Sequence, residues 1–440
     1  MNLNATRAAV LGLGTSGEAA AKLLRREGAD VTVFDSADTP QLKERALKME
    51  GLGIKTVLGP DAGRGTVNFD LTVLSPGIDP AVELVQNFIR QKAEFTGELE
   101  LAFQFCQKPV IAITGTNGKT TTTQLIELML QRAGVRTIAC GNIGMPFCEA
   151  IERQNELDFF TVEVSSFQLE TISTFRPHVA VWLNFTPDHL DRYRDLQKYW
   201  EAKFRIFEKQ QTTDFAVVNA RDQFPGLKSK TITFNAYPGE ADFSVSGHSL
   251  LFRGEPVLDM KATNLSEVHN AENLMAALGV GYALNIPWET AAVGLSEYRL
   301  LPHRCERVGE VDGVIFINDS KATNLDALAK ALESQSRPVV LIAGGKDKGF
   351  LFDSIGELVK RKVKHAVLIG EMATRIERSW SPLVACTRAA NLADAVAAAR
   401  RNAISGDTVL FSPGTSSFDM FKNYADRGNQ FRQRVQELAK

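Results

Sequence analysis

The stretch Val110-Ile111-Ala112-Ile113-Thr114-Gly115-Thr116-Asn117-Gly118-Lys119-Thr120-Thr121 constrains the fold of this chain more than any other. A β-branched apolar run breaks into a glycine turn, and a helical pattern follows with Leu125, Ile126, Leu128, Met129 and Leu130 on its apolar face. A strand feeding a glycine-rich turn and a helix N-terminus offers an anion unpaired N–H groups and the positive end of the helix dipole. Lys119 would add a point charge at the outer phosphates, and Thr120 a hydroxyl for a magnesium ion. Ile113 stands where the longer P-loop pattern has its first glycine, so this is the shorter Gly-Thr-Asn-Gly-Lys-Thr form. The alternative is an ordinary strand-to-helix turn. With Lys119-Thr120-Thr121 attached, nucleotide phosphate is the better reading.

At 440 residues the chain is too long for one core, and two or three domains are expected. The formal net charge of -2, with no lysine- or arginine-rich run, disfavours nucleic acid or an anionic membrane as a main partner. Five cysteines without Cys-x-x-Cys spacing fit a reducing compartment and argue against a disulfide framework or a zinc site. The start of the chain has no basic, apolar leader pattern, and no run approaches the roughly 20 apolar residues of a membrane span. A cytoplasmic protein is expected.

Ahead of the phosphate loop, Ala8-Ala9-Val10-Leu11 reads as a buried strand running into Gly12-Leu13-Gly14-Thr15-Ser16-Gly17 and a helix that stops at Gly28. Val31-Thr32-Val33-Phe34 follows, with Asp35 at its end. This matches a dinucleotide fingerprint with an acid for a ribose hydroxyl. The glycines serve either a dinucleotide such as NAD or only close helix–strand packing. The second phosphate loop at Gly115 counts against NAD. The strand Leu71-Thr72-Val73-Leu74 ends at Ser75-Pro76-Gly77, which should face the same crevice as Gly14 and Asp35.

Beyond the loop, Phe159-Phe160-Thr161-Val162-Glu163 carries a carboxylate inside an apolar strand. Such a group is rarely buried unless paired. Glu163 therefore pairs with a lysine or arginine, or helps hold the metal that Thr120 touches. Val179-Ala180-Val181-Trp182-Leu183 closes on Asn184 and then on Asp188 and His189, a pair suited to metal or substrate. Lys203, on a helix with Trp200, Phe204 and Phe207, reads from composition as a solvated surface lysine. Thr231 to Met260 reads as a small antiparallel insertion, and His269-Asn270-Ala271-Glu272-Asn273 opens a helix whose polar residues serve an adenine or cap the helix.

Pro302-His303-Arg304 reads as a hinge. After it, strands alternate with helices in a third α/β unit. Its strand ends present Lys321, Thr323, Lys348 and Ser417, a set suited to an acidic small molecule unless the lysines are merely solvated.

Gly115 to Thr120, Glu163-Val164-Ser165-Ser166-Phe167-Gln168-Leu169, Asp188-His189-Leu190-Asp191-Arg192 and Leu301-Pro302-His303-Arg304 resemble the Mur ligases of bacterial cell-wall synthesis. Within that family, Asn318-Asp319-Ser320-Lys321-Ala322-Thr323-Asn324 and Ser417-Phe418-Asp419-Met420-Phe421-Lys422-Asn423 are similar to the branch that joins D-glutamate to UDP-N-acetylmuramoyl-L-alanine. The similarity runs from Gly12 to Arg427. The Asp-Asn-Pro-Arg sequence of the diamino-acid-adding relatives is absent.

The resemblance implies an α/β protein of three domains. These are a Rossmann-like domain for the UDP-substrate (residues 1–97), a central P-loop-type ATPase domain with a parallel sheet and the antiparallel insertion (98–301), and a Rossmann-like amino-acid domain (302–440). It places Thr15, Ser16, Asp35 and Ser36 near the uracil, Gly77 near the UDP phosphates, and Asn142 and His189 beside the reacting carboxylate. ATP would lie on Gly115, Thr116, Asn117, Gly118, Lys119, Thr120 and Thr121, with Asn270, Arg304 and Asp319 as further contacts. Thr120 and Glu163 would hold one magnesium and His189 a second, with Lys203, as a carbamate, also a metal ligand. Lys119, His189 and Lys203 would be the catalytic residues, and Thr323, Lys348, Ser417 and Tyr424 would receive D-glutamate. At Ala37 the family can carry an arginine, and Tyr424 stands where a phenylalanine is also found. The implied protein is a monomer whose partners are small molecules, closing about its hinge during an acyl-phosphate reaction. Rival readings are an amide ligase of the same fold acting on folate, a nicotinamide-dependent oxidoreductase, and a non-catalytic nucleotide switch.

Overall fold

The computed structural model describes residues 3–63, 68–90, 93–190, 192–193, 195–265 and 268–438. They form two compact units. The first comprises Met1–Phe185 and Gln197–Tyr298, the second Thr186–Leu196 and Arg299–Lys440.

The first unit holds two sheets. Five parallel strands form one of them, in the order Lys55–Leu58, Asp30–Asp35, Arg7–Leu11, Leu71–Leu74, Glu94–Gly97. The chain winds outward from Arg7–Leu11 first to one side and then to the other. The reversal leaves a crevice at the carboxyl ends of Arg7–Leu11 and Leu71–Leu74, where ligands of doubly wound sheets bind. The helix Thr15–Arg26 buries Ala20, Leu23 and Leu24, and the chain turns after it at Gly28 with φ +97°.

The second sheet has nine strands, with Val110–Thr114 between Val179–Trp182 and Phe159–Glu163. All five residues of Val110–Thr114 are buried, as the continuous β-branched run requires of a central parallel strand. The insertion expected to be antiparallel differs in part. Lys230–Phe234 runs parallel to Phe215–Asn219, and only Ser249–Phe252 runs against its neighbours Phe243–Ser246 and Glu255–Asp259. Phe243, Leu250 and Leu258 face the same core as Ile111, Ile113 and Leu125. Burial of that face makes these strands an extension of the central sheet. On the opposite face, Phe147, Phe160 and Trp182 share one core with Val10, Leu24 and Val31, so the two sheets of this unit are packed together.

A six-stranded sheet forms the second unit, ordered Glu306–Val311, Val314–Asn318, Thr408–Phe411, Val339–Gly344, Val363–Ile369, Ala385–Arg388, with only the first strand antiparallel. Its start at Arg299 precedes the turn read as a hinge. His303 is buried inside this unit, its ring Nδ1 2.9 Å from Asn318 Nδ2. The Pro302–Arg304 turn thus lies inside this unit, and the last of the chain's three passages between units falls between Tyr298 and Arg299.

Candidate active site

The turn after Val110–Thr114 is shaped by its glycines. A Cβ on Gly118, where φ is +84°, would stand 2.3 Å from Asn273 Oδ1, so only glycine fits. Asn184, at the end of the neighbouring strand, clasps the turn. Its carbonyl accepts from Thr116 N (3.0 Å), its side-chain oxygen from Asn117 N (2.9 Å), and its amide donates to Asn117 O (3.1 Å). The Lys119 ammonium folds over the turn and donates to the carbonyls of Gly115 (2.9 Å) and Thr116 (3.0 Å). Thr120 and Thr121 follow in the first turn of the helix Lys119–Arg132.

Glu163 is 2% exposed at the end of the adjacent strand. Its two oxygens accept from the Thr120 hydroxyl (2.8 Å) and the Asn142 amide (2.8 Å). Thr120, expected beside Glu163, and Asn142, expected at the reacting carboxylate, therefore meet on the one Glu163 carboxylate. Among the described residues no group of three or more His, Cys, Asp or Glu could cage a metal. The buried carboxylate and adjoining hydroxyl fit magnesium instead, an ion that keeps several waters and takes other oxygens from phosphate.

Lys203 corrects the reading from composition. It is 2% exposed, and its ammonium donates to Gly115 O at 2.9 Å and stands 4.8 Å from the centre of the Tyr199 ring. Helical position alone carries no sign of this, because the burial comes from a turn 88 residues earlier in the chain. Asn270 lies in the first turn of the helix Val268–Ala283, its side-chain oxygen accepting from Asn273 Nδ2 at 3.3 Å. Asn273, whose oxygen also accepts from the Thr122 hydroxyl (3.2 Å), is legible from sequence only among the polar residues that serve an adenine or cap the helix, and Asn184 only as the end of its strand.

In the first sheet the fingerprint glycines divide. A Cβ on Gly17 would lie 1.8 Å from Gly12 O, so that glycine serves close packing. At Gly14 and Gly77 a Cβ meets nothing within 4 Å among the described residues, which leaves room for a ligand. Asp35 accepts from Leu13 N (2.9 Å) and Ala37 N (3.0 Å) and so pins the loop that leads into Thr15 and Ser16 at the start of their helix, with Ser36 exposed beside it.

The second unit builds its own polar site. Lys348 is buried and donates to Asp188 Oδ1 at 2.5 Å, while Asn324 Nδ2 donates to Asp188 Oδ2 at 3.1 Å. Burial opposes the charge on Asp188, but Lys348 and His189 beside it hold the carboxyl below its usual range. His189, at φ +54°, has Nε2 3.8 Å from Asp188 Oδ2. Asp191 of the same motif lies outside the described residues. Lys348 also reaches Thr323 O at 3.4 Å, and Lys321 stands 3.9 Å from the centre of the Tyr424 ring. Ser417 is buried on the loop after Thr408–Phe411. Asp319 is buried, accepts from the Ser412 hydroxyl at 2.7 Å, and is pushed up by that burial to about 6, with Arg304 pulling the other way. The sequence gives no sign of Arg427, which is fully buried and donates to Ser320 O and Thr415 O, tying two strand-end loops together.

Comparison with known proteins decides the family. Family models match along the chain, described as the Mur ligase MurD-like N-terminal domain at residues 6–97, the Mur ligase middle domain at 113–281 and the Mur ligase glutamate ligase domain at 303–414. A relative from Geotalea daltonii is 41% identical over 100% of this chain and 99% of its own length. The chain belongs to the Mur ligase family. That relative carries the name UDP-N-acetylmuramoylalanine–D-glutamate ligase, as does one from Pelotomaculum thermopropionicum, 41% identical over 98% of this chain and 97% of its own. Among solved Mur ligase structures, the UDP-N-acetylmuramate-alanine ligase of Thermotoga maritima has the same fold, with a TM-score of 0.64 at 18% identity over 98% of this chain and 99% of that one. A pseudomurein peptide ligase type C from Methanothermus fervidus gives 0.63 at 19% over 98% and 100%.

Proposed function

We propose that this Mur ligase is an ATP-dependent enzyme that joins D-glutamate to UDP-N-acetylmuramoyl-L-alanine in peptidoglycan precursor synthesis. The observation that carries the reading is the 41% identity, along the whole chain, to relatives of that name. In this reading residues 1–97 hold the UDP-substrate through Thr15, Ser16, Asp35, Ser36 and Gly77, residues 98–301 hold ATP, and residues 302–440 hold D-glutamate. The open space at Gly14 and Gly77 supports the first assignment, and the Gly115–Thr121 turn supports the second.

A carboxylate resists attack by an amine because its leaving group is oxide. Transfer of the γ-phosphoryl group of ATP to the alanine carboxylate makes an acyl phosphate and ADP. The deprotonated amine of D-glutamate then attacks that carbonyl, and phosphate leaves from the tetrahedral intermediate. The first step depends on positioning and charge neutralisation. Lys119 supplies a cation at the phosphates, while Asn142 and His189 position the acceptor carboxylate. Thr120 and Glu163 would hold one magnesium and His189 a second, ions that when bound neutralise phosphate charge. Lys203 would carry a carbamate, formed when its ammonium gives up a proton, the amine adds carbon dioxide and a second proton leaves, so that a cation becomes an anion able to serve as a metal ligand. Asn270, Arg304 and Asp319 contact ATP, and Thr323, Lys348, Ser417 and Tyr424 receive D-glutamate, the buried Lys348 ammonium suiting a carboxylate. The enzyme acts on small molecules, as a monomer in the cytoplasm, and no helix among the described residues is long and apolar enough to cross a membrane.

The test is phosphate release from ATP with UDP-N-acetylmuramoyl-L-alanine and a panel of D- and L-amino acids. Release with D-glutamate alone is expected. Release that ignores the amino acid, or that favours an L-amino acid, would overturn the reading.

A further inference from the structure

The loop that carries Asn142 is held by a glutamate at each end. At its start, Asn142 N donates to Glu163 O (2.9 Å) and the Asn142 amide to Glu163 Oε1 (2.8 Å). The approach is close enough that a Cβ on Gly141, where φ is +96°, would stand 2.5 Å from Glu163 O. Gly141 N donates to Met145 O at 2.8 Å, so residues 141–145 close into a compact turn. The short helix Phe147–Ala150 follows directly, and its Cys148 N donates to Oε1 of the buried Glu98 at 2.7 Å. The Cys148 thiol in turn donates to Glu98 O at 3.4 Å.

Glu98 reaches this loop from the other sheet. It opens the helix Glu98–Phe105, straight after Glu94–Gly97, the edge strand of the sheet proposed to hold the UDP-substrate. That junction is seated on segments of the central sheet. A Cβ on Gly97 would lie 2.0 Å from Thr171 Oγ1, and the buried Glu100 accepts from the backbone N–H groups of Ser173 (2.9 Å), Thr174 (2.8 Å) and Phe175 (3.0 Å). Glu100 is thus a clasp with its oxygens answered. Glu98 differs, because Oε2 finds no hydrogen-bond partner among the described residues and Oε1 is committed to the helix behind the Asn142 loop. A buried backbone N–H left without an acceptor is costly, so Cys148 and the loop ahead of it stay where Glu98 is.

We infer that Glu98 is a positioning residue for the acceptor carboxylate, acting through the loop that carries Asn142. The inference rests on the ligase reading, which sets Asn142 beside that carboxylate. An acceptor whose UDP end is held on the first sheet presents its carboxylate at a fixed reach, so the Asn142 loop must keep its place relative to that sheet. Glu98 belongs by chain to the first sheet and by hydrogen bond to the loop, and so sets the span between them. A misplacement of about 1 Å in a positioning group costs on the order of 100-fold in rate.

The experiment combines steady-state kinetics, calorimetric binding of UDP and hydrogen exchange on the full chain. Glu98→Met, which keeps the bulk and removes the acceptor, should lower kcat by about 10- to 100-fold, with KM for ATP and affinity for UDP within about twofold of the parent. Glu98→Gln, which retains an oxygen for Cys148 N, should restore kcat to within about threefold. Asn142→Ala should cost less in the Glu98→Met background than in the parent, because the two residues act as one. Residues 141–148 should exchange faster in Glu98→Met, with 110–114 unchanged. Should Glu98→Met fail to fold, Glu98→Asp, one carbon too short for Cys148 N, should show the same pattern. A parent-like kcat in Glu98→Met, an equal loss in Glu98→Gln, a matching loss of UDP affinity, or fully additive losses with Asn142→Ala would overturn the inference. Exchange is read without substrate. A parent chain that releases no phosphate with D-glutamate would therefore sink the ligase reading, while exchange at 141–148 still decides whether Glu98 holds the loop.

Discussion

The ammonium of Lys203 donates a 2.9 Å hydrogen bond to the carbonyl oxygen of Gly115, the residue that opens the phosphate turn. Lys119 donates to the same oxygen at the same distance. One carbonyl thus gathers two cations beside the place proposed for a triphosphate, and only one of them is needed as a phosphate ligand. Chemistry that turns the other into an anion would separate the two roles.

Lys203→Ala is expected to lose activity by orders of magnitude, with partial rescue by added short carboxylic acids. Activity of the parent chain should rise with bicarbonate. A variant indifferent to both additions would reduce Lys203 to a structural tie on the turn.

Lys119→Ala should abolish turnover while the UDP-sugar still binds, because the lysine lies on the phosphate turn and the sugar nucleotide is assigned to the first sheet. Near-normal phosphate release in this variant would remove the phosphate assignment.

Asp188→Asn should destabilise the second unit by about 3 kcal/mol, since it leaves the buried Lys348 without its counter-charge. Pairing it with Lys348→Met should recover part of that loss. Equal melting temperatures for parent and single variant would show that the pair adds nothing.

Glu98 gives a pH-dependent test. Its side chain is 1% exposed, Oε1 accepts from Cys148 N at 2.7 Å, and Oε2 finds no hydrogen-bond partner among the described residues. Burial pushes the carboxyl up to about 7, against the pull of the Cys148 N–H. The unfolded chain releases this proton near 4.5, so between those values the folded state binds more protons. The stability this group contributes is complete below about 4.5 and is lost as pH rises through 7, a swing on the order of 3 kcal/mol. Glu98→Gln should raise the melting temperature at pH 8 and flatten the curve between pH 4.5 and 7. Parallel curves for the two proteins would refute this.

Strand and turn chemistry made the fold legible from sequence. The apolar runs ending in glycine turns at Gly12, Gly115 and Gly344 are the carboxyl edges of three sheets, and period and composition alone locate them. The site was legible where a motif carries its own mechanism, as at Gly118 and Thr120. Glu163 was readable as a conflict, a charge in an apolar strand, although its donors turned out to be a hydroxyl and an amide. Residues whose role depends on distant partners were invisible. Lys203 looks like any helix lysine, Arg427 like any helix arginine, and Asn184 acts chiefly through atoms reaching a loop 67 residues away. The antiparallel reading of Thr231–Met260 went partly astray because short strands with turns look alike whichever way they pair.

The segment Thr186–Leu196 belongs to the second unit although both of its flanks belong to the first. A gene cut once, after residue 298, would therefore not yield two self-sufficient products. The leading fragment would carry an orphaned Asp188, and the trailing one would bury Lys348 with no acid to answer it. Splitting this enzyme for complementation or labelling calls for transplanting that eleven-residue excursion onto the trailing piece, with a short bridge closing the gap it leaves behind.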